Sequence, residues 1–84
     1  MSNRKRLQKA ISSPNNLRFG EMVSLVEAFG FHLSRTQGSH HVFARSNIPE
    51  LVNLQNVHGK AKAYQVRQFL QLVERYNLTL GTSE

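Results

Sequence analysis

The stretch Phe31-His32-Leu33-Ser34-Arg35-Thr36-Gln37-Gly38-Ser39-His40-His41-Val42-Phe43-Ala44-Arg45 decides the fold. Residues 31–36 alternate apolar and polar, the period of a half-buried strand. Residues 40–45 carry β-branched and aromatic side chains and predict a second strand. Gln37-Gly38-Ser39 between them predicts a turn, and the whole reads as a hairpin. Adjacent strand residues point to opposite faces, so His40 and His41 cannot share one site on a regular strand. A two-residue Gly38-Ser39 turn of type II′ pairs Gln37 with His40. It sets Phe31, Leu33, Val42 and Ala44 on one face, with His40 at that face's end. A three-residue turn reverses the parity of the second strand, and the sequence leaves both open.

Outward from the hairpin the period changes. On the N-terminal side Phe19, Met22, Val23, Val26 and Phe29 recur at three- and four-residue spacing. They predict an amphipathic helix over 19–29, stopped by Gly30. On the C-terminal side Ser46-Asn47-Ile48-Pro49-Glu50 predicts a longer connection, because Pro49 cannot donate to a central ladder. Leu51 to Gln55 then reads as a third strand. Asn56-Val57-His58-Gly59-Lys60-Ala61-Lys62 reads as a loop. A second helix is expected from Ala63 to Tyr76, with Val66, Phe69, Leu70, Val73 and Tyr76 as its apolar stripe. Gln65, Arg67, Gln68, Gln71, Glu74 and Arg75 supply its polar face. Leu78 and Leu80 are expected at the core edge.

The expected fold is α+β, in the order α–β–β–β–α. A three-stranded antiparallel sheet with both helices on one face buries both stripes and leaves the other face open. That is the architecture of double-stranded-RNA-binding domains. A single domain over residues 17–78 follows a basic flexible arm over residues 1–16 and precedes a fraying tail over 79–84. The arm carries Arg4, Lys5, Arg6 and Lys9 with no acidic residue.

Charge narrows the function. The 84 residues hold 11 Lys and Arg against five Glu, for a net charge of +6. For so small a chain this favours a polyanionic partner. Asp is absent, so no carboxylate cluster supports a two-metal nuclease. Cysteine is absent, which excludes a disulfide scaffold and thiolate metal sites. His32, His40 and His58 match no usual zinc spacing. No cofactor is implied. No apolar run reaches the roughly 20 residues of a membrane span, so no membrane partner is expected. No secretory leader is read at the N-terminus, and a cytoplasmic location is the expectation.

Gly30-Phe31, Gly38-Ser39-His40-His41-Val42-Phe43 and His58-Gly59-Lys60, followed by a helix, resemble the HicA toxins over about residues 16–78. Those are small mRNA interferases of bacterial toxin–antitoxin pairs. The resemblance implies a double-stranded-RNA-binding-like fold and RNA cleavage by the histidine directly after Gly-Ser, here His40. It also implies a HicB-type antitoxin that covers the active surface. Where the family often has proline, two residues before the downstream histidine, this chain has Asn56. That departure weakens the transfer of a role to His58, which stays open as a second acid–base group or a phosphate contact.

RNA carries its own nucleophile, the 2′-hydroxyl, and a histidine can remove its proton or protonate the leaving 5′ oxygen. His40 is the expected general acid or base, in a mechanism that needs no metal. Gly38 lets the turn approach the phosphate backbone, and Ser39 can donate a hydrogen bond. His41, Arg35, Lys60 and Lys62 are expected RNA contacts, with Arg45 as a further cation near the hairpin. The alternative is a double-stranded-RNA-binding module without catalysis, in which His40 is only a hairpin residue.

Overall fold

The computed structural model describes residues 2–80. Its elements are α1 (Asn3–Ser12), a 3₁₀ turn (Pro14–Asn16), α2 (Phe19–Ala28), β1 (His32–Gln37), β2 (His40–Arg45), β3 (Ile48–Val57), β4 (Lys60–Ala61) and α3 (Ala63–Arg75). The strands form one antiparallel sheet in the order β1-β2-β3-β4. The α+β class is as expected, but the sheet has four strands and not three.

The extra strand comes from the stretch expected to be a loop. His58 and Gly59 have φ of 52° and 84°, so both central residues of the Val57–Lys60 turn are left-handed, as a type I′ hairpin requires. Asn56 Oδ1 accepts from Gly59 N at 2.8 Å and closes the turn. β4 pairs only with Asn56 and Val57, which leaves the rest of β3 without a fourth-strand neighbour. Pro49 is tolerated there, and β3 starts at Ile48. The longer connection expected over residues 46–50 is instead a two-residue Ser46-Asn47 turn, with Asn47 at φ 73° and Arg45 opposite Ile48.

The first hairpin settles the open register. Gln37 pairs with His40, and only Gly38 of the turn has positive φ, at 61°. That is the two-residue type II′ geometry. The expected faces are overturned, however, by a bulge between Leu33 and Arg35. Below the bulge Leu33 pairs with Phe43, above it Arg35 pairs with Val42. The extra residue flips the parity. Phe43 and His41 therefore face the helices beside Val52 and Leu54. His40, Val42 and Ala44 share the opposite face and not that of Phe31.

The core is built from Phe31, Phe43, Val52 and Leu54 of the sheet against Met22, Leu25 and Val26 of α2 and Val66 and Phe69 of α3. Phe69 receives Phe29 and Phe31 edge-on, at centroid distances of 5.5 and 5.7 Å. Gly30 ends α2 at φ 89°, and the Arg45 side chain passes 3.4 Å from where a Cβ would stand. Any other residue there meets both a strained backbone and a crowded guanidinium.

The segment expected as a flexible arm is helical. Ser2 Oγ accepts from Lys5 N and caps α1. Ala10 is fully buried, and α1 packs against α2, α3 and the 3₁₀ turn. Lys9 Nζ bonds Glu21 Oε1 at 3.0 Å, while Glu21 also accepts from Arg18 N, as in half a capping box. The basic character of residues 4–9 hid Leu7 and Ala10, the apolar side chains that dock the helix. Of the expected tail, Leu80 packs at the core edge and Gly81–Glu84 lie outside the described residues. Among the described residues no helix is long and apolar enough to cross a membrane.

Candidate nucleic-acid interface

His40 is the first residue of β2, held by Gln37 on one side and Gln55 on the other. Its row belongs to the face away from the helices, where Gln37, Arg35, Asn53 and His40 are exposed. Arg35 pairs with Val42, two residues from His40, a diagonal that an arginine side chain spans. The His40 ring has no hydrogen-bond partner among the described residues, so both nitrogens are open to a ligand.

His41 is placed differently. Its ring lies 4.8 Å from that of Phe19, tilted by 57°, and Nδ1 is 3.3 Å from Ser39 O. It is half-buried on the helix side and fastens the Gly38–Ser39 turn to the start of α2. Ser39 O also accepts from Asn56 N at 3.0 Å, so the turn is tied to β3 as well. The two neighbouring histidines thus serve different faces: His40 meets solvent and His41 braces the loop that presents it.

Lys60 and Lys62 reach the same end of the sheet. Val57 and Asn56 run past the hairpin turn, the chain reverses at His58-Gly59, and Lys60 returns beside Val57. Arg18 forms a bridge to Lys60, and Phe19 N donates to Gly59 O at 2.9 Å. From β2 to β4 is two strand spacings, about 10 Å. Lys62 is the N-cap residue of α3, and its Nζ sits 5.7 Å from the Tyr64 ring centroid. One end of the molecule therefore gathers Gly38, Ser39, His40, Arg18, Lys60 and Lys62. His58 is exposed in the adjoining turn.

Arg45 is not part of this group. It ends β2, donates from Nη1 to Phe29 O at 2.9 Å and caps the C-terminal end of α2. His32 pairs with Ala44 at that same far end. Arg18, Tyr64 and Gln65 were not legible as site neighbours, because they arrive through β4, which sequence periodicity did not reveal. Gln65, expected on the polar face of α3, is only 4% exposed and hydrogen-bonds the β3 backbone. Among the described residues no three His or Glu side chains cluster as a metal-binding group.

Comparison with curated proteins and with solved structures gives no match. A family model described as HicA toxin of bacterial toxin-antitoxin matches residues 19–74. The match begins at the first residue of α2, takes in all four strands and reaches the last turn of α3. It spans well over half of the 84 residues and includes the His40 hairpin, so the chain belongs to the HicA toxin family of bacterial toxin–antitoxin systems.

Proposed function

We propose that this toxin is a metal-independent endoribonuclease that cuts mRNA with His40 as its general acid or base, and that a HicB-type antitoxin neutralises it. The observation that carries the reading is the isolation of His40. It is an exposed imidazole with no hydrogen-bond partner among the described residues, on a turn braced from three sides by Gln37, Asn56 and His41. His32 is exposed too but lies at the far end of the sheet, and His58 lies on the adjoining turn; His40 alone follows the braced Gly38–Ser39 turn.

A phosphodiester enters along the Gly38–Ser39 turn, where glycine allows close approach. His40 either takes the proton of the ribose 2′-hydroxyl or gives one to the departing 5′ oxygen. In either case the 2′ oxygen bonds to the adjacent phosphorus, closing a 2′,3′-cyclic phosphate as the bond to the 5′ oxygen breaks, and water takes or supplies the proton that His40 does not. Arg35, Lys60 and Lys62 offset the charge that builds on the phosphoryl oxygens. With one acid–base group the acceleration is about 10²–10⁴-fold, that of a slow nuclease.

The test is cleavage of a mixed-sequence RNA in EDTA by the purified protein beside His40→Ala. Cleavage by the parent alone supports the reading. Equal cleavage by both removes His40 from it. No cleavage by either, with salt-sensitive RNA binding retained, favours the non-catalytic duplex-binding module.

A further inference from the structure

Tyr64 is the aromatic side chain that the fold does not use. Phe29, Phe31, Phe43 and Phe69 are buried in the core. Phe19 lies tilted against His41, and Tyr76 bonds Glu50 at 2.6 Å. Tyr64 is 48% exposed, in the first turn of α3, and is not among the core cluster or the hydrophobic side chains packed against it. Its ring is nevertheless held in place. Gln65 Nε2 donates to the Tyr64 hydroxyl at 3.4 Å, while Gln65 Oε1 is bound to Gln55 N at 2.7 Å. Gln55 is the cross-strand partner of His40. A short chain of contacts thus links the exposed ring to the strand beside the candidate catalytic histidine.

The charge beside the ring has a matching pattern. Lys62 Nζ sits 5.7 Å from its centroid, and Lys60 precedes it on β4. A flat aromatic surface next to a cation is the combination that meets a nucleotide, the ring taking the base and the ammonium its phosphate. A duplex offers no free base face at such a position, whereas an unpaired strand does.

The geometry points to Tyr64 as a stacking platform for a nucleobase of single-stranded RNA, flanking the phosphodiester at His40. This rests on the ribonuclease reading and sharpens it, since it makes the substrate unpaired. RNA held at His40 passes the end of the sheet, past the His58–Gly59 turn, and sets a base a few nucleotides away on Tyr64. Lys62 holds the intervening phosphate.

The experiment uses the full chain carrying His40→Ala, so that bound RNA stays intact. Anisotropy of a labelled mixed-sequence single strand is compared with strands carrying one abasic position in turn, and with a duplex. Adding Tyr64→Ala is expected to weaken single-strand binding about five- to hundredfold, the range of one lost base stack. Tyr64→Phe stays within about twofold, because stacking needs the ring and not the hydroxyl. One abasic position reproduces the loss in the Tyr64 parent and costs nothing more in Tyr64→Ala. Duplex affinity does not change with Tyr64. Undiminished binding by Tyr64→Ala overturns the platform and leaves the nuclease reading standing. An abasic penalty that persists in Tyr64→Ala overturns it equally. If the parent binds no RNA at all, platform and nuclease readings fall together.

Discussion

Gln65 Oε1 accepts the backbone N–H of Gln55 at 2.7 Å, taking the place of a strand where β4 stops. Asn56 turns its N–H toward Ser39, so that of Gln55 points to the other side of β3. β4 pairs with Asn56 and Val57 and not with Gln55, and a buried unpaired N–H is costly. Replacing Gln65 by Leu keeps the volume and removes the acceptor. The expected loss is about 1–3 kcal/mol, the penalty of an orphaned buried donor. Urea unfolding measures it, with exposed Gln68→Leu as a control expected within about 0.5 kcal/mol. Equal stability of the two variants would show that water replaces the side chain.

That bond also marks where the sequence stopped being readable. The helices at 19–28 and 63–75 were legible, because their stripes repeat every three or four residues and Gly30 punctuates the first. The Gln37–His40 pairing was one of two registers the sequence left open, because Gly38-Ser39 fits a two-residue turn and Gln37-Gly38-Ser39 a three-residue one. Val42 and Ala44 were expected on the face of Phe31 and lie on the other, because a bulge has no residue-type signature at Ser34. β4 is two residues long, too short for any period, and its turn needed His58 in the left-handed region. Gln65 read as polar surface because the edge it covers belongs to that unseen strand. The histidine was found through its motif. The cations around it were found singly, but their convergence at one end of the sheet required the fourth strand.

Glu21 joins α1 to α2, and its carboxyl is held below its ordinary value of 4.5 by the Arg18 backbone N–H first and the Lys9 ammonium second. A folded-state value depressed in this way stabilises the fold above the ordinary value and is lost as pH falls through the folded one. Acid should therefore weaken the wild type progressively below about pH 4.5. Glu21→Gln is expected to start less stable at neutral pH and to lose less on acidification. Thermal unfolding across that range measures both slopes, and parallel slopes would remove Glu21 from the acid response.

Ala10 tests whether α1 is docked or loose in solution. It is fully buried between α1 and the body, so Ala10→Glu puts an unpaired charge into the contact. The expected cost is at least about 1 kcal/mol, limited above by the free energy that docks the helix. Ile11→Glu, on an exposed neighbour, should stay within about 0.5 kcal/mol. A neutral Ala10→Glu would mean that residues 3–12 act as the mobile basic arm the composition suggests.

His40 and His41 should separate under substitution. His40→Ala removes an exposed ring and is expected to keep stability within about 0.5 kcal/mol. Its RNA cleavage should fall by about 10²–10⁴-fold. His41→Ala removes the contact with Phe19 and should cost about 0.5–1.5 kcal/mol, with a smaller fall in cleavage through a loosened turn. Stability comes from denaturant unfolding and activity from a single-turnover assay. The reverse pattern would move the acid–base role to His41.

An antitoxin that silences this surface by blocking it must cover His40, and the charges around His40 favour an acidic cover. Arg18, Arg35, Lys60 and Lys62 stand exposed or half-buried nearby, so association should be fast at low salt and slow as salt screens them. In the free toxin the exposed His40 ring should react readily with diethylpyrocarbonate, as should His32 at the far end of the sheet. In the complex with its antitoxin, modification of His40 is expected to drop while that of His32 is unchanged. Peptide mass analysis after brief labelling reads both in one sample, with His32 as the internal reference. Protection of His40 alone fits direct blockade. Loss of labelling at both would mean a larger enclosure, and an inhibited complex with His40 still reactive would require the antitoxin to act on the RNA path or on the fold instead.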